Sequence, residues 1–278
     1  DGDNVRFRYG LPEKIGGWSQ LTASSKTLPG AARAQHAWTS IAGEKYVAIG
    51  TSQGLFLYYG NDFYDISPLD TAITGFTFTT TNGSATVTVN KTSHGLSAGR
   101  FFTFTSVTLP GSGTGYVAAD FTGTPYEVVT ASTNSFTITM ASVESGAGIT
   151  AAGSATVNPY VEVGPTFQTA GYGWGTDTWS TSTWGTERTT SDVILDPGNW
   201  SLDNFGEVLV ATIFGNKTFT WNAGASNARS IRASTTTTNF STSNNPTSSR
   251  LTQVSDRDRH LFHFGTETTI GDTSTVDP

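Results

Sequence analysis

Apolar residues in this chain recur at every second position, in short runs cut off by glycine, asparagine or proline, and almost nowhere at the 3.6-residue spacing of a helix. Val5, Phe7 and Tyr9 alternate with Arg6 and Arg8, which predicts a half-exposed strand, with Leu11-Pro12-Glu13-Lys14 turning after it. Tyr46-Val-Ala-Ile-Gly50 and Leu55-Phe-Leu-Tyr-Tyr59 flank a glycine-bearing turn and predict a hairpin. The nearest approach to a helix is Ala31–Trp38, which is short enough to be a strand instead. Such a pattern predicts an all-β protein.

The hairpin recurs. A shift of 163 residues carries Gly43-Glu44 onto Gly206-Glu207, Ala48 onto Ala211, Phe56 onto Phe219 and Tyr58 onto Trp221, with Trp38 and Trp200 nearly coincident, one residue out of register. A shift of 215 carries Tyr46–Thr51 onto Leu261–Thr266. The two shifts differ by 52 residues, close to the ~40–50 of one four-stranded propeller blade, so the expectation is a set of partial β-propeller-like hairpin repeats. Residues 75–158 account for much of the longer shift. Their strands (Phe76–Thr80, Ala85–Val89, Phe101–Phe104, Tyr126–Val129, Ser135–Thr139, Ala155–Val157) and turns predict a small β-barrel or sandwich inserted in a hairpin loop, with Gly111–Gly115 as its most flexible loop. The resulting division is 1–74, N-terminal strand and first propeller hairpins; 75–158, inserted domain; 159–278, a Gly/Trp-rich crossover and further blades. From Gly224 to Asn245 the Ser/Thr/Asn composition predicts loop with at most one short strand.

At 278 residues the chain can bury a sizeable core, and 12% aromatic residues supply the area that offsets chain entropy. Only 13% of residues are charged, so ion pairs cannot be the main organiser. A net charge of −7 argues against a broad basic nucleic-acid face, and the absence of cysteine removes disulfides and thiolate chemistry. No apolar run approaches the ~18 residues of a membrane helix. Because the chain starts at Asp1 without methionine, a processed chain or a fragment of a longer one is expected.

Catalytic constellations are weak. His260 and His263, three apart on a strand, point to opposite faces and cannot share a metal. Asp256-Arg-Asp-Arg259 reads better as a solvated turn than as an acid/base pair, and Asp62, Asp65, Asp70 and Asp196 as turn caps. No catalytic, cofactor-binding or metal-ligating residue is nominated, and no enzyme activity is expected. Tryptophans recur every five residues at Trp174, Trp179 and Trp184, within Gly171-Tyr172-Gly-Trp-Gly. On a β scaffold such rings stack sugars, anchor an interface or pin their own loop. Pinning or interface is the expectation for Tyr172, Trp174, Trp179, Trp184, Trp18 and Trp38.

Several blocks together resemble the tail nozzle (tail tube B-type, stabilisation) proteins of short-tailed bacteriophages. They are Asn4-Val-Arg-Phe-Arg-Tyr-Gly10 through Trp18, His36-Ala-Trp38, the Ala48–Tyr58 hairpin, Tyr64-Asp-Ile-Ser-Pro68, Gly171–Gly185, and Trp200–Ala211. The inserted segment, with His94-Gly-Leu-Ser-Ala-Gly99, resembles the small FCCH-like β-barrel modules of such proteins. The resemblance implies a structural virion protein without catalytic residues. It implies a homohexameric ring in the tail, assembled in the host cytoplasm, that contacts the tail adaptor and other tail proteins. Double-stranded DNA would pass through its channel without sequence recognition during ejection. Two rivals stand beside it: a carbohydrate-binding or receptor-binding β module of a tail fibre, and a propeller glycosidase, for which no carboxylate pair is evident.

Overall fold

The computed structural model describes residues 5–14, 27–164, 197–226, 228–235, 240, 245–255 and 257–272. The fold is all-β. Among the described residues, helix is confined to one turn at Ala118–Phe121 and a 3-10 turn at Ala228–Ser230. None of their helices is long and apolar enough to cross a membrane.

Two four-stranded antiparallel meanders form the centre. The first runs β3 (Ala32–Thr39), β4 (Lys45–Thr51), β5 (Leu55–Tyr59) and β6 (Asp62–Asp65), each strand beside its successor. The second runs β14 (Trp200–Phe205), β15 (Val208–Ile213), β16 (Thr218–Asn222) and β17 (Ser234–Thr235). A shift of 163 superposes β5 on β16 and all but the last residue of β4 on β15. A third unit contributes the hairpin of β18 (Leu251–Ser255) and β19 (His260–Phe264). The first strands are neighbours in space: β14 packs on β3 on one side and β18 on the other. That is the order in which propeller blades stack about an axis.

One aromatic core serves both meanders, built from Trp38, Tyr46, Leu55 and Leu57 of the first and Trp200, Leu209, Phe219 and Trp221 of the second. Trp38 stacks on Tyr46 at 5.5 Å and meets Trp221 edge-on at 6.1 Å. Such pairs add about 0.5–1.5 kcal/mol each beyond the area they bury. The near coincidence of Trp38 with Trp200 does not hold. Trp200 pairs with Ile213, the counterpart of Gly50, and Gly50 pairs with Ala34, so Trp200 occupies the place of Ala34. The reason is turn length: five residues, 40–44, join β3 to β4, while Gly206-Glu207 alone joins β14 to β15.

Between the meanders lies a seven-stranded sheet of β7 (Ile73–Thr79), β8 (Thr86–Asn90), β9 (Phe101–Thr108), β10 (Pro125–Glu127), β11 (Thr130–Ala131), β12 (Ser135–Thr139) and β13 (Ala152–Pro159). Its order is β10-β9-β13-β7-β8-β12-β11. The edge strands β10 and β11 are separated in the chain only by Val128 and Val129, so the sheet must curl until its edges meet, a half-barrel. Alternation places Phe76, Phe78, Val87, Val89, Phe102, Phe104, Phe136 and Ile138 inside, a core distinct from that of the meanders. The Gly111–Gly115 loop is pinned, not loose: the buried Glu144 accepts from Gly115 N and Thr114 Oγ1, and Gly148 N donates to Gly113 O.

The N-terminal strand β1 (Val5–Arg8) folds back into β2 (Leu11–Lys14), so the turn lies at Tyr9-Gly10 and the segment Leu11–Lys14 is the returning strand. Both turn residues have positive φ, 52° and 78°, the geometry of a two-residue type I′ hairpin.

Candidate functional site

The described residues most tightly bound together by charge and hydrogen bonds lie where the curled sheet leaves and rejoins the meanders. The outgoing strand β6 ends at Asp65, and β13 runs into Tyr160; Leu69 and Tyr160 form an antiparallel bridge. Asp70 N donates to Pro159 O at 2.8 Å and Val161 N to Pro68 O at 3.0 Å. The two crossings therefore form a short two-strand neck.

Three side chains lock this neck to the second meander. The Tyr160 hydroxyl donates to Asp65 Oδ2. Arg232 reaches in from beside β17, donating through Nη2 to Asp65 Oδ2 and to the Tyr160 hydroxyl, both at 3.0 Å, and through Nη1 to Ser67 O at 3.0 Å. Its guanidinium lies 4.7 Å from the Tyr160 ring centroid, and Ala233 N donates to Ile66 O. Burial, joined by the Asp65 carboxylate, pushes the Tyr160 phenol well above its ordinary range, outweighing the pull of Arg232. Burial alone would lower the Arg232 pKa, but Asp65 and Tyr160 raise it. The phenol keeps its proton and the guanidinium its charge through the neutral range. From the curled sheet, Arg100 donates to Tyr160 O at 3.2 Å and to Asp70 Oδ2 at 3.1 Å. A cleft of about 540 Å³ opens beside it, lined by Asp70, Arg100, Glu162, Lys217 and Phe219, its charges of both signs.

A second cluster braces the first meander against the 3-10 turn. Glu44 accepts from the Tyr46 hydroxyl and, at 2.6 Å, from the Tyr59 hydroxyl, while Arg229 lies 4.7 Å from the Tyr59 ring centroid. These two hydrogen bonds, with help from Arg229, hold the Glu44 carboxyl below its ordinary value. Burial, then Glu44, pushes Tyr46 up to about 12.

Of the residues singled out by sequence, Trp38 lies in the shared core, 6% exposed. Trp18, Tyr172, Trp174, Trp179 and Trp184 lie outside the described residues. The ends flanking the Gly/Trp segment are described, and they touch: a Cβ on Gly198 would stand 1.9 Å from Val163 O. The chain departs and returns at one point, beside Arg33, which donates to Gly198 O. His263 is half-buried, its Nδ1 3.1 Å from Ser249 Oγ, and burial lowers its pKa. Residues 257–259 form the turn between β18 and β19; Asp256 and Asp196 lie outside the described residues. No group of three or more His, Asp or Glu among the described residues is placed to hold a metal ion. Asp65 and Asp70 do cap their turns, at Ser67 N and Thr71 N. Sequence reasoning missed their second role as partners of Arg232 and Arg100. No local spacing signals it, because Arg232 is 167 residues from Asp65.

No protein-family model matches this chain, and no curated protein does. Among solved structures it is similar to the phage phi92 endosialidase, at 12% identity and a TM-score of 0.25, over 88% of this chain and 35% of that one. The chain thus spans about a third of that structure's length, and a likeness at this TM-score carries no argument.

Proposed function

We propose that this chain is a structural, non-enzymatic subunit of a short bacteriophage tail, a nozzle-type protein whose copies form a sixfold ring around the genome-ejection channel. The observation that carries the reading is the side-by-side packing of β3, β14 and β18, the first strands of three successive units, the first two of which share one aromatic core. Such a stack makes a stiff, curved wall without a ligand or metal to hold it. The neck lock of Asp65, Tyr160 and Arg232 fixes the curled sheet to that wall. The ordered blocks that resemble nozzle proteins supply the rest: a place in the virion tail, assembly in the host cytoplasm, contact with an adaptor, and passage of double-stranded DNA without sequence reading. A net charge of −7 suits DNA that must slide past without sticking.

Native mass spectrometry of the 278-residue chain at micromolar concentration tests the reading. A hexamer is expected; a monomer at all concentrations overturns it. Binding on a glycan array that is abolished by Trp174→Ala or Trp179→Ala would transfer the chain to the carbohydrate-binding class instead.

A further inference from the structure

We infer that the curled sheet carries a binding site for an acidic sugar, a single carboxylate or phosphate on a hydroxylated ring, beside β7 and the end of β8. A cleft of about 370 Å³ opens there, lined by Gly75, Thr77, Asn90, Lys91, Thr92 and Asn134. Lys91 is the one charged residue of the six. The cleft beside the neck, by contrast, mixes Arg100 and Lys217 with Asp70 and Glu162. Among the described residues Lys91 makes no ion pair and no side-chain hydrogen bond, and its Nζ lies 5.8 Å from the Phe76 ring centroid. Gly75 keeps the cation's surroundings open. Its φ of +82° suits a residue without a side chain, and a Cβ on it would stand 3.7 Å from Nζ.

Asn134 fixes the backbone around the cation: Lys91 N donates to its carbonyl at 3.0 Å and Ser93 N to its Oδ1 at 3.2 Å. With Oδ1 engaged, Asn134 Nδ2 keeps its protons for a ligand. Asn90, opposite Thr77 in the ladder, donates through Nδ2 to Thr79 Oγ1 at 2.9 Å, which leaves its Oδ1 as an acceptor. The Thr77 and Thr92 hydroxyls have no partner among the described residues. An ammonium and an amide thus stand ready for an oxyanion, with two hydroxyls and a carbonyl oxygen for ring hydroxyls. The volume lies within the ~300–1,000 Å³ of small-molecule clefts, more than a bare oxyanion needs. No apolar side chain lines it, which suits a hydroxylated body and not a lipid tail. One cation in a chain of net charge −7 cannot hold a nucleic-acid backbone, whose binding grows with the number of phosphates neutralised. The site lies wholly in the curled sheet, which has its own core, so it stands or falls apart from the ring reading.

Amide chemical shifts of the 278-residue chain, titrated with sodium glucuronate, glucose 6-phosphate, inorganic phosphate and glucose, test the inference. At least one of the two acidic sugars is expected to move the signals of Gly75, Lys91, Thr92 and Asn134 and to saturate at millimolar concentration, and the tighter of them names the oxyanion. Glucose is expected to move none. Lys91→Gln removes the charge from a side chain without partners, so the fold is expected to survive while binding weakens at least about tenfold. Lys217→Gln, in the mixed-charge cleft, is expected to leave the titrations unchanged. No shift at these residues with either acidic sugar overturns the inference, as does equal binding of glucose or a Lys91→Gln chain that binds like the parent. Saturation by inorganic phosphate at the same concentration as the sugars reduces the cleft to an adventitious ion only and overturns the sugar assignment. A DNA duplex that moves the same signals at lower concentration than either sugar overturns it too, since the cleft is then a contact for nucleic acid.

Discussion

Gly50 shows how one side chain's absence joins two distant elements. A Cβ there would lie 2.5 Å from the Trp200 ring, and Trp200 Nε1 donates to Thr51 O at 2.8 Å. The indole of the second meander thus packs directly against the backbone of the first, with its one polar atom satisfied. Gly50→Ala forces ring or strand to move and is expected to cost about 1–3 kcal/mol, the usual range for overpacking, seen as an earlier midpoint in urea. An unshifted midpoint would show that the meanders do not share a rigid core. Arg232 provides the matching test for polar contacts. Arg232→Ala leaves the Ser67 carbonyl and the Asp65 carboxylate short of donors, with an expected loss of about 2 kcal/mol. Arg6→Ala breaks the Arg6–Glu13 pair, whose side chains are 56% and 45% exposed, and is expected to cost under about 0.5 kcal/mol. If the two variants lose equally, the neck is not locked as described.

At the scale of elements, the curled sheet has its own core, and its ends meet at the Leu69–Tyr160 bridge. Replacing residues 72–158 by a short Gly/Ser linker is therefore expected to leave the meanders folded, with one cooperative transition and unchanged near-ultraviolet signals from Trp38, Trp200 and Trp221. Loss of that transition would show that the meanders depend on the sheet. The strands themselves were legible in the sequence because alternation is a local property: β4, β5, β15 and β16 follow from it directly. Pairing was less legible, since turn length sets register. Trp38 and Trp200 align by letter count but not in the sheet, because 40–44 and Gly206-Glu207 differ in length. Likewise Pro12 made Leu11–Lys14 read as a turn, whereas the chain reverses at Tyr9-Gly10 and leaves Pro12 on an outer strand. The neck lock was invisible for the same reason at longer range. Asp65, Tyr160 and Arg232 carry no motif, and only the topology brings them together.

Across the whole molecule, a chain with 13% charged residues concentrates its acid response in few groups. Two of them staple loops in different regions. For Glu144 in the curled sheet, burial raises the pKa, but hydrogen bonds from Gly115 N, the Thr114 and Thr80 hydroxyls and Gly146 N outweigh it and hold the carboxyl at about 2. Glu267, beyond β19, is likewise pushed up by burial and brought down to about 2 by donors that include Thr247 N and Gly271 N. Both values lie below the 4.5 of an unperturbed glutamate, so the unfolded chain binds protons first as the pH falls. The stability these carboxylates contribute is complete above about pH 4.5 and drains away between there and about 2. Tm is therefore expected to fall slightly from pH 7 to 5, where His263, its pKa held below 6.5 by burial, resists the proton that the unfolded chain accepts, and to fall progressively further below as the two glutamates titrate. A Glu144→Gln/Glu267→Gln variant is expected to be less stable at pH 7, because an amide cannot replace the charge at the converging donors. It is also expected to lose less on acidification than the parent, since the titrating groups are gone. If its melting temperature falls with pH as steeply as the parent's, the acid sensitivity resides elsewhere and the staples are incidental to it.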